Sequence, residues 1–362
     1  MCWQREAKGD LSLQQNARIG KLDDFKWVAA LLVAAIHTSP LESLNETADF
    51  LLTRVLARVA VPFFFMVTGF FVLYGACKEQ GGIKRILSFI KKAGFWYLLV
   101  TALYLPVQLY KLVNNPVKPA ALAGSVLKAV FFDGTYYHLW YFPAVMTGLL
   151  LVYFFLRLGK KKAYACAGIL YITGLFGDSY YGIAEKIPVW KGMYDGMFRL
   201  FSYTRNGLFF SPLFLLLGYE MAVWVRQGKL GEKEAVRNGR NFIISLIFMC
   251  GEGLLLHINH IQKHDSMYFI LPICMLYLFR YLLLSGNQKG RTGIFYLKGP
   301  MLFYYLHPLV ILLVRGFVKV TKLSFVLTVS PVYFLAVVLG SMCAVFICVR
   351  LMHEVRQKRG RN

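Results

Sequence analysis

The chain has 362 residues and a formal net charge of +23, and 57% of its residues are hydrophobic while only 16% are charged. Soluble domains contain roughly 25% charged residues, so this balance indicates a membrane protein and leaves no room for a sizeable soluble domain beside about ten membrane helices. The basic residues are expected in short loops between apolar runs, and no nucleic-acid partner is expected.

Ten apolar segments follow one another along the chain, and each is expected to form a membrane helix. Residues 1–19 are polar, so no cleaved signal peptide is expected and residues 25–39 lie in an internal first span. The stretch Ala120–Phe132 is expected to form an interfacial helix. The approximate bounds of the ten segments are 25–43, 50–75, 86–110, 137–158, 162–178, 205–226, 240–259, 267–285, 294–315 and 325–350.

Basic residues are unevenly distributed among the loops. Lys and Arg are frequent in both tails and in the loops after the second, fourth, sixth and eighth segments, and the loops between are poorer in them. The positive-inside rule therefore predicts an all-α integral membrane protein with about ten transmembrane helices and both termini cytoplasmic. We expect a polar tail at 1–20, a transmembrane domain at 21–350 and a basic tail at 351–362, with anionic lipids facing the basic loops. Homo-oligomerisation is left open.

The first segment carries two polar groups, Lys26 and His37, eleven residues apart. On a helix this separation is about 1,100°, so both side chains project from nearly one face, about 16 Å apart along the axis. His37 suits a general base because imidazole titrates near neutral pH. A histidine that is merely hydrogen-bonded at the end of the span is an equal alternative. Glu42 is either a group that orients the His37 ring or a solvated loop charge.

A polar group precedes the sixth segment, where Arg205 and Asn206 stand before Leu208. A guanidinium beside an amide at an apolar entry can bind a carboxylate or a phosphate. The alternative is an arginine that extends to the membrane surface. In the second segment, Pro62 and Gly69 predict a local kink and a close helix approach.

Further histidines lie late in the chain and before the fourth segment. His307 lies mid-span before Pro308, and a histidine this deep needs a polar partner or a wet cavity, with Tyr304 or Tyr305 as the candidate partner. His138 and Trp140 form another polar cluster, either an interfacial belt or part of a site. His257, His260 and His264 are spaced as on one helix face and could ligate a metal, but the Glu-containing frame of the known two-histidine motif is absent, which favours a solvated outer edge. No metal is expected.

These motifs together resemble the acyltransferase 3 family of ten-helix membrane proteins. Lys26 and His37 match the spacing of its first-span Arg-x10-His, with lysine in place of arginine. The run from Pro62 to Phe70 is similar to its second-span P-x-F-F-x-x-S-G-F, with Thr68 in place of serine. His138–Tyr141 is similar to its Leu-Trp-aromatic element, and Tyr304–Pro308 matches its late Tyr-Leu-His-Pro element.

The resemblance implies an acyltransferase that uses acyl-CoA, such as acetyl-CoA, as a co-substrate from the cytoplasm, with no tightly bound cofactor. It implies His37 as general base, and Lys26 either as the contact to a donor phosphate or as the residue that balances the charge of the cavity. The acceptor is expected to be a small molecule or glycan hydroxyl at the outer face of a bacterial cell membrane. The residues expected to shape its site are Arg205, Asn206, His307, Tyr305, Trp140, His138 and Glu42.

A narrower likeness leads to the alternative function. His37–Pro40 and Thr204–Phe210 are similar to the membrane half of vancomycin-resistance-type membrane serine racemases, in which a racemase domain follows the membrane domain. That likeness implies a permease or supply module for a serine-like amino acid, with Arg205 on the carboxylate. The chain has no GxSxG, P-loop, GxGxxG or CxxC motif that would support a hydrolase, an ATPase or nucleotide redox chemistry.

Overall fold

A computed structural model describes residues 19–78, 82–116, 118–227, 232–285 and 293–359, and the regular structure within these ranges is helical without strands. The tails at 1–18 and 360–362, whose charges entered the topology prediction, lie outside the described residues. The main helices are α1 Gly20–Thr38, α2 Glu46–Lys78, α3 Gly82–Asn114, α4 Pro119–Lys128, α5 Tyr141–Arg157, α6 Lys160–Phe176, α7 Pro188–Leu200, α8 Ser211–Arg226, α9 Glu232–Ile258, α10 Leu271–Leu284, α11 Ile294–Thr321 and α12 Ser330–Arg359.

Each of the ten predicted segments coincides with one of these helices, and α4 occupies the stretch expected to be interfacial. Within the described ranges, five helices are long and apolar enough to cross a membrane, namely α2, α3, α9 from Glu234, α11 and α12 to Val355. The helices α5 and α10 are apolar but shorter. The all-helical fold is therefore confirmed, and ten crossings with cytoplasmic termini stay a prediction.

Helix α2 is irregular where proline and glycine were expected to matter. A π-helical turn at Phe50–Val55 and a 3₁₀ turn at Leu56–Val59 precede Pro62, which lacks the N–H that would bond the carbonyl four residues earlier. A Cβ on Gly69 would overlap the carbonyl oxygen of Leu215 in α8, and a Cβ on Gly218 would overlap that of Met66. These two glycines let α2 and α8 cross with their backbones in contact.

Helix α1 lies inside the bundle, packed against α2, α10, α11 and α12. Its small residues Ala29, Ala30 and Ala34 are buried, which allows this close packing. The loop after α1 is tied to the start of α12, because the Ser330 hydroxyl donates to the Pro40 carbonyl at 3.0 Å. The His37 end of α1 is thereby held within the ends of its neighbouring helices.

Helix α7 was not expected from the sequence, because the loop that contains it mixes both signs of charge. Tyr194 anchors it: its buried ring packs on Tyr181, and its hydroxyl donates to the Thr173 carbonyl at 2.7 Å. The opposite side exposes Val189 and Met193. The helix covers the end of α6 on the His37 side of the bundle.

Candidate active site

His37 lies in the last turn of α1, where the chain leaves the helix. Ser39 adopts a left-handed conformation with φ of 46°, and its N–H donates to the Ala35 carbonyl at 2.9 Å. Pro40 follows and cannot continue the helix. The half-buried His37 ring therefore faces a cavity of about 390 Å³, the His37 cavity, which is also lined by Glu42, Arg315 and Tyr333.

Three histidines that are distant in sequence meet beside this cavity. The ring of His307 stacks on that of His37 with centroids 5.5 Å apart and an interplanar angle of 17°. His138 lies 5.7 Å from His307 in an edge-on arrangement, and Tyr137 packs edge-on against His37 at 4.6 Å. We call His37, His138 and His307 the histidine cluster. Among the described residues, the His37 ring nitrogens form no hydrogen bond.

The hydrogen bond of His307 identifies its protonated nitrogen. Nδ1 lies 3.1 Å from the carbonyl oxygen of Phe303, and a carbonyl only accepts, so Nδ1 carries the hydrogen. In the neutral ring Nε2 is then the acceptor, and this buried atom has no partner among the described residues. Pro308, which lacks an N–H, leaves the Tyr304 carbonyl beside this ring without its helical hydrogen bond.

His138 lies against His307 in the cluster. The His138 side chain is buried, and neither of its ring nitrogens has a partner within the described chain. Its backbone carbonyl accepts a hydrogen bond from the Tyr304 hydroxyl, so Tyr304 supports the segment and not the ring. Buried polar atoms without partners are rare in native structures. Orphaned nitrogens on two adjacent histidines indicate a place for a polar group from another molecule.

Arg205 lies beside the cluster in the loop before α8. Its guanidinium packs over the rings of Tyr203 at 4.3 Å and Trp140 at 5.5 Å, and Nη1 donates to the Ser266 hydroxyl at 3.1 Å. Asn206 is used locally: its Oδ1 accepts from the backbone N–H groups of Leu208 and Phe209. This turn delays the start of α8 to Ser211, six residues after the predicted start. The amide of Asn206 thus shapes the loop that presents Arg205.

Comparison with known proteins places this geometry in a family. The acyltransferase domain of the acyltransferase 3 type matches residues 19–350. The chain belongs to the acyltransferase 3 family. No solved structure matches it.

Three curated relatives have racemase names. Two amino-acid racemases of Enterococcus faecalis are 40% identical over 78% of this chain and 37% identical over 94% of it, which is 38% and 47% of their own lengths. A serine/alanine racemase of Enterococcus gallinarum is 40% identical over 71% of this chain and 36% of its own length. The chain thus spans less than half the length of these relatives, and the likeness to serine racemases noted in the sequence is confirmed.

In this acyltransferase 3 chain, Lys26 replaces the family's arginine, and the structure gives it a partner. Lys26 Nζ donates to Asp23 Oδ1 at 2.6 Å, one helical turn earlier. The Asp23 carboxylate is buried, and its second oxygen has no partner among the described residues. Lys26 therefore bears a charge that its own helix already balances.

Two of the expected site residues lie apart from the ring nitrogens of the cluster. Tyr305 points into an aromatic core, where it stacks on Trp96 at 5.7 Å, and its carbonyl accepts from the Tyr104 hydroxyl at 2.6 Å. Glu42 is exposed on the rim of the His37 cavity. Tyr305 thus positions α11, and Glu42 contributes charge at the mouth.

A second cavity of about 530 Å³, the basic cavity, opens next to Arg205. It is lined by Arg54, Lys263, Asp265 and by His257, His260 and His264. The helical spacing expected for these three histidines is wrong, because α9 ends at Ile258 and His260 has φ of 50°. In the described part of the chain, no three His, Cys, Asp or Glu residues are grouped to hold a metal ion.

Sequence reasoning missed the acids and bases that organise this cavity. Arg58 is buried and forms an ion pair with Asp265, whose other oxygen is 3.5 Å from Arg54 Nε. Asp178, in the turn after α6, accepts from the N–H groups of Ser266 at 2.6 Å and Met267 at 3.0 Å. Burial raises the pKa of Asp178 to about 6. The available signal was an Arg in an apolar segment and an Asp at a span end, both of which demand partners.

Proposed function

We propose that this protein is an integral membrane O-acyltransferase that moves an acyl group, most simply acetyl, from acyl-CoA to a hydroxyl of a small-molecule or cell-envelope acceptor. The observation that carries the proposal is the position of the His37 ring, which lines a cavity while its nitrogens form no hydrogen bond with the described residues. The chain around it matches the acyltransferase 3 family from residue 19 to 350. The bacterial plasma membrane is the proposed location, with ten crossings and the Lys26 end of α1 on the cytoplasmic side.

In the proposed reaction His37 accepts the proton of the acceptor hydroxyl as the oxygen attacks the thioester carbonyl carbon. A C–O bond forms, the carbonyl becomes a tetrahedral oxyanion, and the C–S bond then breaks. The departing thiolate takes the proton from the His37 imidazolium, which yields the ester, free CoA and neutral His37. General base catalysis of this kind contributes about 10²–10⁴ in rate.

The other two histidines have different roles in this scheme. A neutral His138 has one ring N–H that no group of the described chain accepts, and this N–H is the proposed donor to the oxyanion. His307 donates from Nδ1 to Phe303, so its Nε2 can only accept, and it is proposed to hold an N–H or O–H of the acceptor.

The donor is proposed to approach from the Lys26 end. Lys26 and His37 are about 16 Å apart along α1, a span that an extended acyl-pantetheine arm can bridge. Lys26 would meet a donor phosphate while still paired with Asp23, so its contribution is a single charge and not a planar fork. Acyl-CoA is a co-substrate here and is not retained.

The direct test is acyl transfer by the purified chain in sealed vesicles. Labelled acetyl-CoA is supplied on one side with a mixture of hydroxyl acceptors, and esterified product is separated by chromatography. The proposal requires ester formation that depends on protein, donor and acceptor. The proposal would be contradicted if no ester formed with any acyl donor or acceptor class while a thermal unfolding transition showed that the protein was folded.

A second function is favoured by one observation, the racemase names of the relatives. A permease for serine-like amino acids would use Arg205 to bind the carboxylate. Uptake of labelled L-serine into vesicles without any acyl donor separates the two functions. Uptake without ester formation favours the permease, and ester formation without uptake rejects it.

A further inference from the structure

We propose that the basic cavity is an anion-binding site whose ligand is a carboxylate or phosphate group held by Arg205. The cavity is half-enclosed, has a volume of about 530 Å³ and lies on the Arg205 side of the histidine cluster. The proposal concerns binding alone and is independent of whether acyl transfer occurs.

Charge is the first argument. Arg54, Arg205 and Lys263 line the cavity, and Arg58 lies directly behind Asp265. The carboxylates near these four basic groups are Asp265, which Arg54 and Arg58 share, and Asp178, whose Oδ1 accepts from the N–H groups of Ser266 and Met267. Asp195 and Glu185 lie near Lys263 on the outer side of the rim. Of the residues that line the cavity itself, three are basic, Arg54, Arg205 and Lys263, and one, Asp265, is a carboxylate, so the lining attracts an anion.

The unused donors of Arg205 are the second argument. A guanidinium has five N–H groups, and in the described chain one bond, from Nη1 to the Ser266 hydroxyl, is formed. Its Nε is buried and has no partner among the described residues. The guanidinium lies over the ring faces of Tyr203 and Trp140, and its N–H groups project in its own plane. That arrangement suits a planar, two-point contact with a carboxylate or phosphate.

The rim of the cavity adds two more groups. The ammonium of Lys263 is 3.6 Å from the Phe198 ring centroid and 4.4 Å from that of Tyr181, so aromatic rings hold it in place. The His264 ring packs on Tyr203 at 4.5 Å, and its Nε2 is buried without a partner among the described residues. A second orphaned nitrogen next to the orphaned Arg205 Nε marks the same spot for a polar ligand.

If the proposed acyl transfer holds, this site also restricts the acceptor, a step that rests on that function. One short segment contacts both groups, because the Tyr137 ring packs on His37 at 4.6 Å and the Trp140 ring lies 5.5 Å from the Arg205 guanidinium. A single acceptor held at Arg205 and deprotonated at His37 would carry both a hydroxyl and an anionic group. The predicted acceptor class is hydroxy acids, hydroxy amino acids or phosphate-bearing alcohols, in preference to neutral sugars.

Binding is tested without any acyl donor. The full chain in detergent is titrated with inorganic phosphate and with acetate at constant ionic strength, and tryptophan fluorescence is followed because Arg205 lies over Trp140. Trp140→Phe identifies the signal. The variants are Arg205→Gln, Arg205→Lys and Lys263→Gln. The matched control is Arg237→Gln, which removes an exposed arginine whose partner is Glu234 on α9. A third arm places the chain in nanodiscs with or without phosphatidylglycerol.

We expect saturable binding of at least one free anion, weakened about tenfold or more in Arg205→Gln and less in Arg205→Lys and Lys263→Gln. Arg237→Gln should bind as the wild type does. A response only to phosphatidylglycerol would also support the site and identify a lipid phosphate as its ligand. No saturable response in any arm, or equal weakening in Arg205→Gln and Arg237→Gln, would overturn the proposal. Binding without ester formation would reject only the acyltransferase function.

Discussion

The two ends of α1 have opposite electrostatic designs. At one end Lys26 is paired with Asp23 within a single helical turn, and its charge is balanced before any ligand arrives. At the other end His37 forms no hydrogen bond with the described chain and lines a cavity beside two more histidines. The Lys26 charge thus has a partner in its own helix, and the His37 ring nitrogens have none among the described residues.

This difference shows why spacing alone is a weak guide to role. Both side chains project from one face of one helix, but their partners come from different sequence distances. The partner of Lys26 is three residues away, and the ring that stacks on His37 belongs to His307. The proposed function accordingly assigns proton transfer to His37 and a modest binding contribution to Lys26, and the following predictions test that division.

The largest effect is expected for the base itself. His37→Gln should reduce acyl transfer by about 10²–10⁴, because a glutamine amide cannot accept the hydroxyl proton. The initial rate with labelled acetyl-CoA in vesicles measures this. The control is His353→Gln, an exposed histidine near the far end of α12, which should retain the wild-type rate. A fully active His37→Gln would show that another group is the base, with His307 Nε2 as the next candidate.

A smaller effect is expected for the Arg58–Asp265 ion pair at the His37 end of the bundle. Arg58→Ala should lower the free energy of unfolding by about 3 kcal/mol, because it leaves Asp265 in a partly buried site without its closest cation. Arg237→Ala breaks an exposed pair on one helix and should cost less than about 1 kcal/mol. Denaturation in detergent compares the two. Equal losses would mean that the Arg58–Asp265 pair is no more than a surface contact.

A smaller change is expected at the Lys26 end. Lys26→Met should raise the KM for acetyl-CoA about tenfold with little change in kcat, because one charge-assisted contact is lost. Lys26→Arg should lower that KM by adding a second N–H to the same phosphate. Steady-state kinetics with varied donor measures both. If neither variant changes the KM, Lys26 serves only to neutralise Asp23.

The smallest effect depends on pH and belongs to the loop at the His37 end. Burial, with Arg205 and Lys263 nearby, lowers the pKa of His264 from 6.5 to about 4. The folded protein then binds fewer protons than the unfolded chain, so this contribution to stability is present above pH 6.5 and is lost as pH falls towards 4. His264→Gln should therefore lose less stability than the wild type between pH 7 and pH 5.

Thermal unfolding over that pH range measures the difference. Asp178, whose raised pKa has the opposite sign of effect, is present in both proteins and cancels. His353→Gln serves again as the matched histidine-to-glutamine control, because this exposed residue lies near the far end of α12. Parallel curves for His264→Gln and the wild type would show that the His264 ring is solvated in solution.

Much of the architecture was readable from the sequence because it depends on local patterns. Ten apolar runs predicted ten helices at the observed places, since a run of this length must satisfy its backbone internally. Gly69 predicted the close approach of α8, because only a missing side chain permits it. Helix α7 was missed, because its anchor is the contact of Tyr194 with α6 and not its own hydrophobicity.

Contacts between polar groups that are distant in sequence depend on how the helices pack. The sequence placed Lys26 and His37 on one face of α1 and indicated His138, His307 and Arg205 as candidate site residues. It could not bring three histidines together or pair Arg58 with Asp265, because partners so far apart in sequence are chosen by helix packing. The helical period relates residues within one helix, whereas the candidate site combines residues from several helices and loops.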